Sequence, residues 1–343
     1  MVKARPGQPD GLKSLRIVVT DPIISRFADQ LKSDGGTHHW DMAAAWTAER
    51  RLDALAGADV VVCSALSPAE AETASAVRLV HVTGAGYDKI SFPQLAPLAR
   101  VANTFHHARP IAEHVLMVTL MLSRNVAAAE RALRRGEWRT IATDAKVPFH
   151  PVLADLTLGL VGLGSIGAEV ARVAGSLGMK VRAVRRNPSA PLPDGVRLDW
   201  VGGNEQLPEL LAASDVVVVT VPLDAGTKGM IGAPELACMK PSAFLINVAR
   251  GPVVDQAALY AALKDRRIAG AGIDVWWGQP ADGVVPPAEL PFAELENTVL
   301  TPHHSGHART TFERRAGDIA ANIGRFARGE DLVNLVARPV PAK

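Results

Sequence analysis

Only two cysteines occur among the 343 residues, too few for a disulfide-stabilised scaffold. Charge of one sign is also lacking: 37 Lys and Arg stand against 35 Asp and Glu, which gives no reason to expect nucleic acid or an anionic membrane as a partner. No apolar run approaches the roughly 18 residues of a spanning helix, and the first residues lack a secretory pattern. We therefore expect a cytoplasmic protein.

Short apolar runs alternate with helical patterns, which predicts an α/β fold with doubly wound parallel sheets. One long helix is predicted over 111–134 and a last helix over 306–328. We predict a discontinuous substrate domain, 1–108 plus 304–343, and a dinucleotide-binding domain, 109–303. The predicted strands span 15–20, 59–63, 79–83, 100–103, 157–161, 180–184, 215–221, 243–248, 270–275 and 298–301.

A glycine motif predicts a dinucleotide site. Gly162, Gly164 and Gly167 follow the predicted strand 157–161 and open a helical stretch, which is the context that a Gly-x-Gly-x-x-Gly fingerprint requires. Gly162 permits a tight turn, Gly164 lets the backbone approach a pyrophosphate, and Gly167 allows close packing of helix and strand.

The end of the next strand indicates which dinucleotide binds. NAD sites place an acidic residue there, about 20 residues after the glycines. This chain has Arg185 and Arg186 instead, and a guanidinium suits the 2′-phosphate of NADP(H). We therefore expect NADP(H) to be preferred and NAD(H) to be possible. The alternative is that both arginines belong to a solvated loop.

Three polar residues follow predicted strands and indicate a substrate site. Arg250, Gln279 and His303 come after successive strands, and ligands of open α/β sheets bind beyond the carboxyl ends of the strands. A cation, an amide and an imidazole at one sheet edge suit an anionic carbonyl substrate.

Seven ordered segments resemble the D-isomer-specific 2-hydroxyacid dehydrogenases over nearly the whole chain. The resemblance implies two Rossmann-like or flavodoxin-like domains with a cleft between them, and usually a homodimer. The segments are GAGYDKI (84–90), AEH (112–114), GLGSIG (162–167), VPL with Thr227 (221–227), NVARGPVVD (247–255), GIDVW (272–276) and TPHHSG (301–306).

By this resemblance, Arg250 holds the substrate carboxylate and carbonyl, His303 is the general acid and base, and the backbone at Ala85 and Gly86 cradles the carboxylate. Asp274 binds the nicotinamide carboxamide. Further residues implied in cofactor binding are Ser165, Ile166, Val221, Pro222, Thr227, Val248, Ala249 and Gly306.

One residue departs from the family pattern. Gln279 stands where the family carries a Glu that is hydrogen-bonded to the catalytic His. Gln at this place is similar to the formate dehydrogenases, but His107 replaces the Asn that they carry before their A-E-H segment. The Gln alone therefore does not carry formate activity across.

Two further side chains are candidates for the substrate pocket. His107 is predicted either to face the cleft or to be exposed in a loop, and Trp277 is predicted to form a wall. No metal is expected, because a zinc site needs converging ligands and hydride transfer needs no metal.

The sequence thus predicts an NADP-dependent 2-ketoacid reductase acting on a glyoxylate- or hydroxypyruvate-like acid. The alternatives are a formate-dehydrogenase-like hydride abstraction and a non-catalytic dinucleotide-sensing protein.

Overall fold

The computed structural model describes residues 14–278 and 288–337. The chain divides into two compact units, Met1–His106 with Ala308–Lys343, and His107–His307. Gln279 lies outside the described residues, so its predicted place in the substrate site stays a prediction.

A five-stranded parallel sheet with the order β2-β1-β3-β4-β5 forms the centre of the first unit. This is the flavodoxin-like order. Its strands are β1 (Arg16–Val19), β2 (His39–Met42), β3 (Val60–Cys63), β4 (Leu79–Val82) and β5 (Arg100–Ala102). The four strands predicted here are confirmed within one residue at each end. β2 was not predicted, because His-Trp-Asp-Met at this sheet edge lacks a buried apolar run.

Helices α1 (Ala28–Gly35), α2 (Ala48–Ala56) and α3 (Pro68–Thr73) belong to the same unit. The start of α3 follows directly from its sequence. The Ser67 hydroxyl accepts a hydrogen bond from the Glu70 N–H, the Glu70 carboxylate accepts one from the Ser67 N–H, and Pro68 occupies the first helical position.

The second unit contains a seven-stranded parallel sheet with the order β12-β11-β10-β9-β6-β7-β8. Counted from β6, this is the Rossmann order 3-2-1-4-5-6 with a seventh strand added. The six predicted strands are confirmed within two residues, and the three-residue β8 was missed. The strands are β6 (Thr157–Val161), β7 (Lys180–Val184), β8 (Trp200–Gly202), β9 (Val216–Val219), β10 (Phe244–Asn247), β11 (Gly270–Ile273) and β12 (Thr298–Leu300).

The prediction of one helix over 111–134 is wrong. Asn125 has φ 50°, in the left-handed region, and divides the segment into two helices. The first also begins before Pro110, which its first turn accommodates because the N–H that proline lacks has no partner there. The helices of this unit are α4 (Ala108–Ser123), α5 (Val126–Arg134), α6 (Ser165–Ser176), α7 (Leu207–Ala213), α8 (Ala233–Cys238) and α9 (Gln256–Lys264).

The last helix, α10 (Arg309–Ala327), returns to the first unit. Its Ile319 and Ile323 share a buried core with Ile17 and Val19 of β1 and Val62 of β3. The alternate residues of the strands pack on the opposite face of the sheet in a second core, so the sheet is covered on both sides.

α10 also carries a polar side that holds the segment 104–106. The Arg315 guanidinium donates to the Phe105 carbonyl at 2.8 Å, and Asp318 accepts from the Thr104 hydroxyl at 2.6 Å. The His106 ring, whose backbone has φ 68°, lies 2.7 Å from Asp318.

Candidate active site

The predicted site residues of the second unit follow the strands of its sheet. Because all the strands are parallel, their carboxyl ends lie at one edge. Gly162, Arg185, Arg250, Asp274 and His303 come after β6, β7, β10, β11 and β12. The winding of the chain reverses between β6 and β9, which is where open α/β sheets bind ligands.

The glycine loop after β6 is shaped by close backbone contacts. Gly162 has φ 103°, and a Cβ there would lie 2.9 Å from the Val221 Cγ1 atom. A Cβ at Gly167 would lie 2.4 Å from the Gly162 carbonyl oxygen. Gly164 differs, because a Cβ there would have no neighbour within 4 Å. The packing of the protein therefore requires the first and third glycines but not the second.

The loop leads into α6, whose N-cap residue is Gly164 and whose first turn receives no side-chain cap. The first N–H groups of a helix have no intrahelical partners, and the helix dipole adds a partial positive charge at this end. Ser165 is exposed, and Ile166 packs partly against the core of the unit. This helix start is therefore suited to bind an anion.

Arg185 makes hydrogen bonds to the backbone of the loop that follows it, residues 188–191. Its guanidinium donates to the carbonyls of Pro188 at 3.1 Å and Pro191 at 3.2 Å, and also to that of Ala190. The side chain is partly buried in this arrangement. These three bonds fold the segment after β7 around the guanidinium, and the role of Arg185 in binding a phosphate stays a prediction.

Arg186 points outward instead. Its side chain is 84% exposed and lies 3.4 Å from the Asp224 carboxylate, which is itself 42% exposed. An ion pair this open to solvent contributes between zero and about 1 kcal/mol to stability, so Arg186 can exchange this partner for another anion at little cost.

The segment after β9 forms a closed turn. The Thr227 hydroxyl donates to the Pro222 carbonyl at 2.6 Å and accepts from the Asp224 N–H at 2.8 Å. Thr227 is buried, and Val221 contacts the glycine loop through Gly162. The hydrogen bonds of Thr227 thus fix the backbone of the segment 221–227, which faces the glycine loop.

Arg250 is held by a buried neighbour that the sequence analysis missed. The Asn247 amide donates to the Arg250 carbonyl at 3.0 Å, and its oxygen accepts from the Ala249 N–H at 3.1 Å. The Arg250 guanidinium donates to the Ala249 carbonyl at 2.8 Å. The signal for Asn247 was a polar residue at the end of an apolar strand, and its function is to fix the turn that carries Arg250.

Gly251, the residue after Arg250, fixes the same turn from the other side. A Cβ at Gly251 would lie 2.2 Å from the Trp276 carbonyl oxygen, a contact that no side chain could make. Val248 and Ala249 are buried between the strand and this contact. The turn after β10 and the segment after β11 are therefore packed backbone to backbone.

Asp274 is the centre of the hydrogen bonding after β11. One of its oxygens accepts from the Thr301 hydroxyl at 2.6 Å and the His304 N–H at 3.0 Å, and the other accepts from the Ser305 N–H at 3.1 Å. Burial raises the pKa of this carboxyl, but the bonds from Ser305 and Thr301 outweigh burial and hold the pKa below its usual value. Asp274 is therefore ionised at neutral pH.

His303 lies in the loop that Asp274 holds. Its backbone has φ 56°, a conformation rarely adopted by residues with a side chain. The next ring, His304, contacts that of His114 on α4 edge to face, with centroids 5.7 Å apart. Burial lowers the pKa of His114, against the opposing charge of Asp274.

Trp277 packs against the core. Its ring stacks on buried Phe292, with centroids 5.1 Å apart, and its N–H donates to the Val254 carbonyl at 2.7 Å. Its predicted contact with substrate stays a prediction.

His107 is the N-cap residue of α4, and a Cβ at Gly306 would lie 3.2 Å from the His107 Cβ atom.

Ala85 and Gly86 lie in a loop of the first unit. The Asn103 amide donates to the Ala85 carbonyl at 2.8 Å. Before the loop, the Thr83 hydroxyl donates to buried Asp21 at 2.7 Å. Side chains thus hold the backbone on both sides of the predicted carboxylate cradle.

The described ranges, 14–278 and 288–337, contain neither a candidate metal site nor a candidate membrane span. No group of three His, Cys, Asp or Glu residues there converges to hold a metal ion. None of the helices in these ranges is both long and apolar enough to cross a membrane.

Residues 116–305 match the family model described as D-isomer specific 2-hydroxyacid dehydrogenase, NAD binding domain. The chain belongs to this family. Its second unit is accordingly a nicotinamide-dinucleotide-binding domain, and the protein is an NAD(P)-dependent oxidoreductase that acts on the CH–OH group of 2-hydroxy acids. The family predicted from the sequence motifs is confirmed.

Individual members of the family are similar over most of the chain. A glyoxylate reductase of Korarchaeum cryptofilum is 33% identical over 95% of this chain and 96% of its own length. A glycerate dehydrogenase of Methylorubrum extorquens is 34% identical over 83% of this chain and 88% of its own. A D-isomer specific 2-hydroxyacid dehydrogenase of Xanthobacter autotrophicus, crystallised with NADPH and MES, is 29% identical with a TM-score of 0.76, covering 95% of this chain and 98% of its own.

Proposed function

We propose that this dehydrogenase is an NADP(H)-dependent 2-ketoacid reductase for small acids such as glyoxylate or hydroxypyruvate. The observation that carries the proposal is the placement of Arg250 and His303 after β10 and β12, on either side of the strand that carries ionised Asp274. The names of the two similar enzymes, glyoxylate reductase and glycerate dehydrogenase, support this substrate class.

The glycine loop fits a dinucleotide. The open position at Gly164 lets the backbone approach a pyrophosphate, and the uncapped start of α6 offers its N–H groups. Arg186 would bind the 2′-phosphate, because it is exposed while the Arg185 guanidinium is used by its own loop. The bound nicotinamide supplies the hydride. This fit supports NADP(H), as does the NADPH bound in the similar Xanthobacter enzyme.

The reacting groups of the chain have separate tasks. Arg250 binds the substrate carboxylate through two parallel hydrogen bonds and polarises the keto oxygen. His303 in its protonated form donates a proton to that oxygen as negative charge develops on it. Asp274 binds the nicotinamide carboxamide through the acceptor capacity that its hydrogen bonds from Thr301, His304 and Ser305 leave.

Assays of the purified enzyme with a panel of 2-keto acids test the proposal. For each acid, kcat/KM is compared between NADPH and NADH. We expect NADPH to exceed NADH in kcat/KM by at least about tenfold, the effect of one good charged contact. Equal efficiency with both cofactors would contradict the NADP(H) assignment, and activity on formate would favour the formate-dehydrogenase alternative. Cofactor binding without reduction of any acid would favour the sensing protein.

The proton donor has its own test. His303→Ala should lower kcat by about 10²–10⁴-fold, because general acid catalysis is lost. Binding of NADPH, measured by fluorescence titration, should be unchanged. The matched control is His39→Ala, which removes an exposed histidine of the first unit and should leave kcat unchanged. Retention of most activity by His303→Ala would place the proton donor elsewhere.

We also propose that the protein is a homodimer through its second unit. α5 has no buried residue, and the chain after it carries large apolar side chains that are exposed, including Trp138 at 71% and Phe149 at 86%. An apolar surface of this kind indicates a protein interface, and the occupant we propose is a second copy of this chain.

A further inference from the structure

The loop that carries His303 is fixed on both sides. Before His303, the Thr301 N–H donates to the carbonyl of Ile273 at the end of β11 at 3.0 Å. After it, the His304 and Ser305 N–H groups donate to Asp274. His303 itself has φ 56°. A left-handed residue with a Cβ costs of order 1–3 kcal/mol and persists only where its surroundings fix it.

Thr301 makes hydrogen bonds through both its backbone and its side chain. Its carbonyl accepts from the Trp276 indole N–H at 3.0 Å, and its hydroxyl donates to Asp274 at 2.6 Å. Pro302 follows, which restricts the backbone of Thr301 to extended conformations. The backbone N–H, the carbonyl and the hydroxyl of Thr301 are thus all used two residues before His303.

The hydroxyl joins two buried groups. It has a single proton, which the short bond directs to ionised Asp274, so it can only accept from a further partner. The His114 Nε2 atom lies 3.5 Å away, at the outer limit of a hydrogen bond. Because burial keeps His114 neutral at pH 7, this geometry assigns its proton to Nε2. The chain of donors runs from His114 through Thr301 to Asp274.

We propose that Thr301 is a positioning residue for proton transfer by His303, acting through the hydroxyl that joins Asp274 to His114. The inference rests on the proposed role of His303 as proton donor. Without the hydroxyl, one oxygen of Asp274 loses its shortest bond and the segment before His303 keeps only its backbone contacts. The imidazole then samples positions from which its proton does not reach the keto oxygen.

Two substitutions at one position separate the hydroxyl from the shape of the side chain. Thr301→Val keeps the shape and removes the hydroxyl, and Thr301→Ser keeps the hydroxyl and removes the methyl group. We expect Thr301→Val to lower kcat by about 10- to 100-fold, as misplacement of a reacting group by about 1 Å does. Thr301→Ser should stay within about threefold of wild type. NADPH affinity and the KM for glyoxylate should change little in either variant.

A packing role would give the reverse order, with Thr301→Val the more active variant, and that result would overturn the proposal. If Thr301→Val does not fold, Thr301→Ala also removes the hydroxyl, and because Thr301→Ser and Thr301→Ala both lack the methyl group, their difference isolates the hydroxyl. Thr301→Ala should have a kcat at least about tenfold below that of Thr301→Ser, as expected for Thr301→Val, and equal values in the two variants would equally overturn the proposal.

Combination with His303→Ala distinguishes the inference from the function on which it rests. Because Thr301 acts through His303, adding Thr301→Val to His303→Ala should reduce kcat by less than about twofold further. If His303→Ala alone retains activity, the proposed proton donor is wrong. If His303→Ala is inactive while Thr301→Val matches wild type, only the role of Thr301 is wrong.

Discussion

Protonation of His81 should destabilise the first unit below neutral pH. This histidine of β4 is fully buried, and its Nε2 atom lies 3.0 Å from the Asn322 side-chain nitrogen. The same nitrogen donates to the Val333 carbonyl, and the Asn322 oxygen accepts from the Val333 N–H, both at 2.9 Å. The amide orientation is therefore fixed, and Nε2 must accept. The neutral ring carries its proton on Nδ1, near the Val82 carbonyl.

Burial lowers the pKa of His81 from 6.5 to about 4, against smaller opposing effects of the Val82 carbonyl and the Asp318 charge. In the unfolded chain the pKa returns to 6.5, so the unfolded state binds more protons between these two values. The stabilisation is complete above pH 6.5 and is lost as pH falls toward 4. The full contribution is about 3 kcal/mol, and about 2 kcal/mol of it is lost between pH 7 and pH 5.

Urea unfolding of the full chain at pH 7 and pH 5 measures this effect. Pulse hydrogen exchange at one fixed labelling pH, read on peptides that contain β4 and α10, reports on the first unit. The control is His81→Gln, which does not titrate and whose amide oxygen can accept from Asn322. Wild type should lose about 2 kcal/mol more than this variant between the two pH values. Equal losses would refute the reasoning.

Two further predictions concern the second unit. Arg186→Met should lower the NADPH-to-NADH ratio of kcat/KM at least about tenfold. Arg185→Met should instead weaken the binding of both cofactors, because it disorders the segment 187–191. An equal change of the ratio in both variants would contradict this division of roles. In analytical ultracentrifugation, wild type should sediment as a dimer of 36.3 kDa chains and the double variant Trp138→Glu with Phe149→Glu as a monomer. A dimeric double variant would place the interface elsewhere.

The strands that could be predicted from the sequence are those with buried apolar runs. Val216–Val219 and Val60–Cys63 are buried throughout, so their residues identify them. β2 and β8 are short edge strands whose residues are largely part-exposed, and nothing in their composition marks them. The break at Asn125 was equally hidden, because an apolar helical pattern continues across it and one left-handed residue leaves no periodic signal.

In the candidate site, too, some residues could be predicted from the sequence and others could not. Glycines and charged residues at strand ends predicted the positions of the dinucleotide loop, Arg250 and His303, because few residue types serve there. Asn247 and Thr301 were missed, since a single Asn or Thr is common and its importance depends on partners distant in sequence. The engagement of Arg185 with its own loop could not be predicted either, because backbone carbonyls have no sequence signature.

The division of the first unit between both ends of the chain has a consequence for biosynthesis. Its sheet is complete once β5 has emerged from the ribosome, but Ile319 and Ile323 of α10 follow about 200 residues later. At about 5–20 residues per second, this interval lasts about 10–40 s. Throughout it, the face of the sheet with Ile17 and Val62 has only the part of its cover that Ile24 and Leu31 supply and lacks α10, while the second unit is translated and can fold. The nascent chain therefore presents an apolar sheet face suited to chaperone binding until translation reaches its last helix.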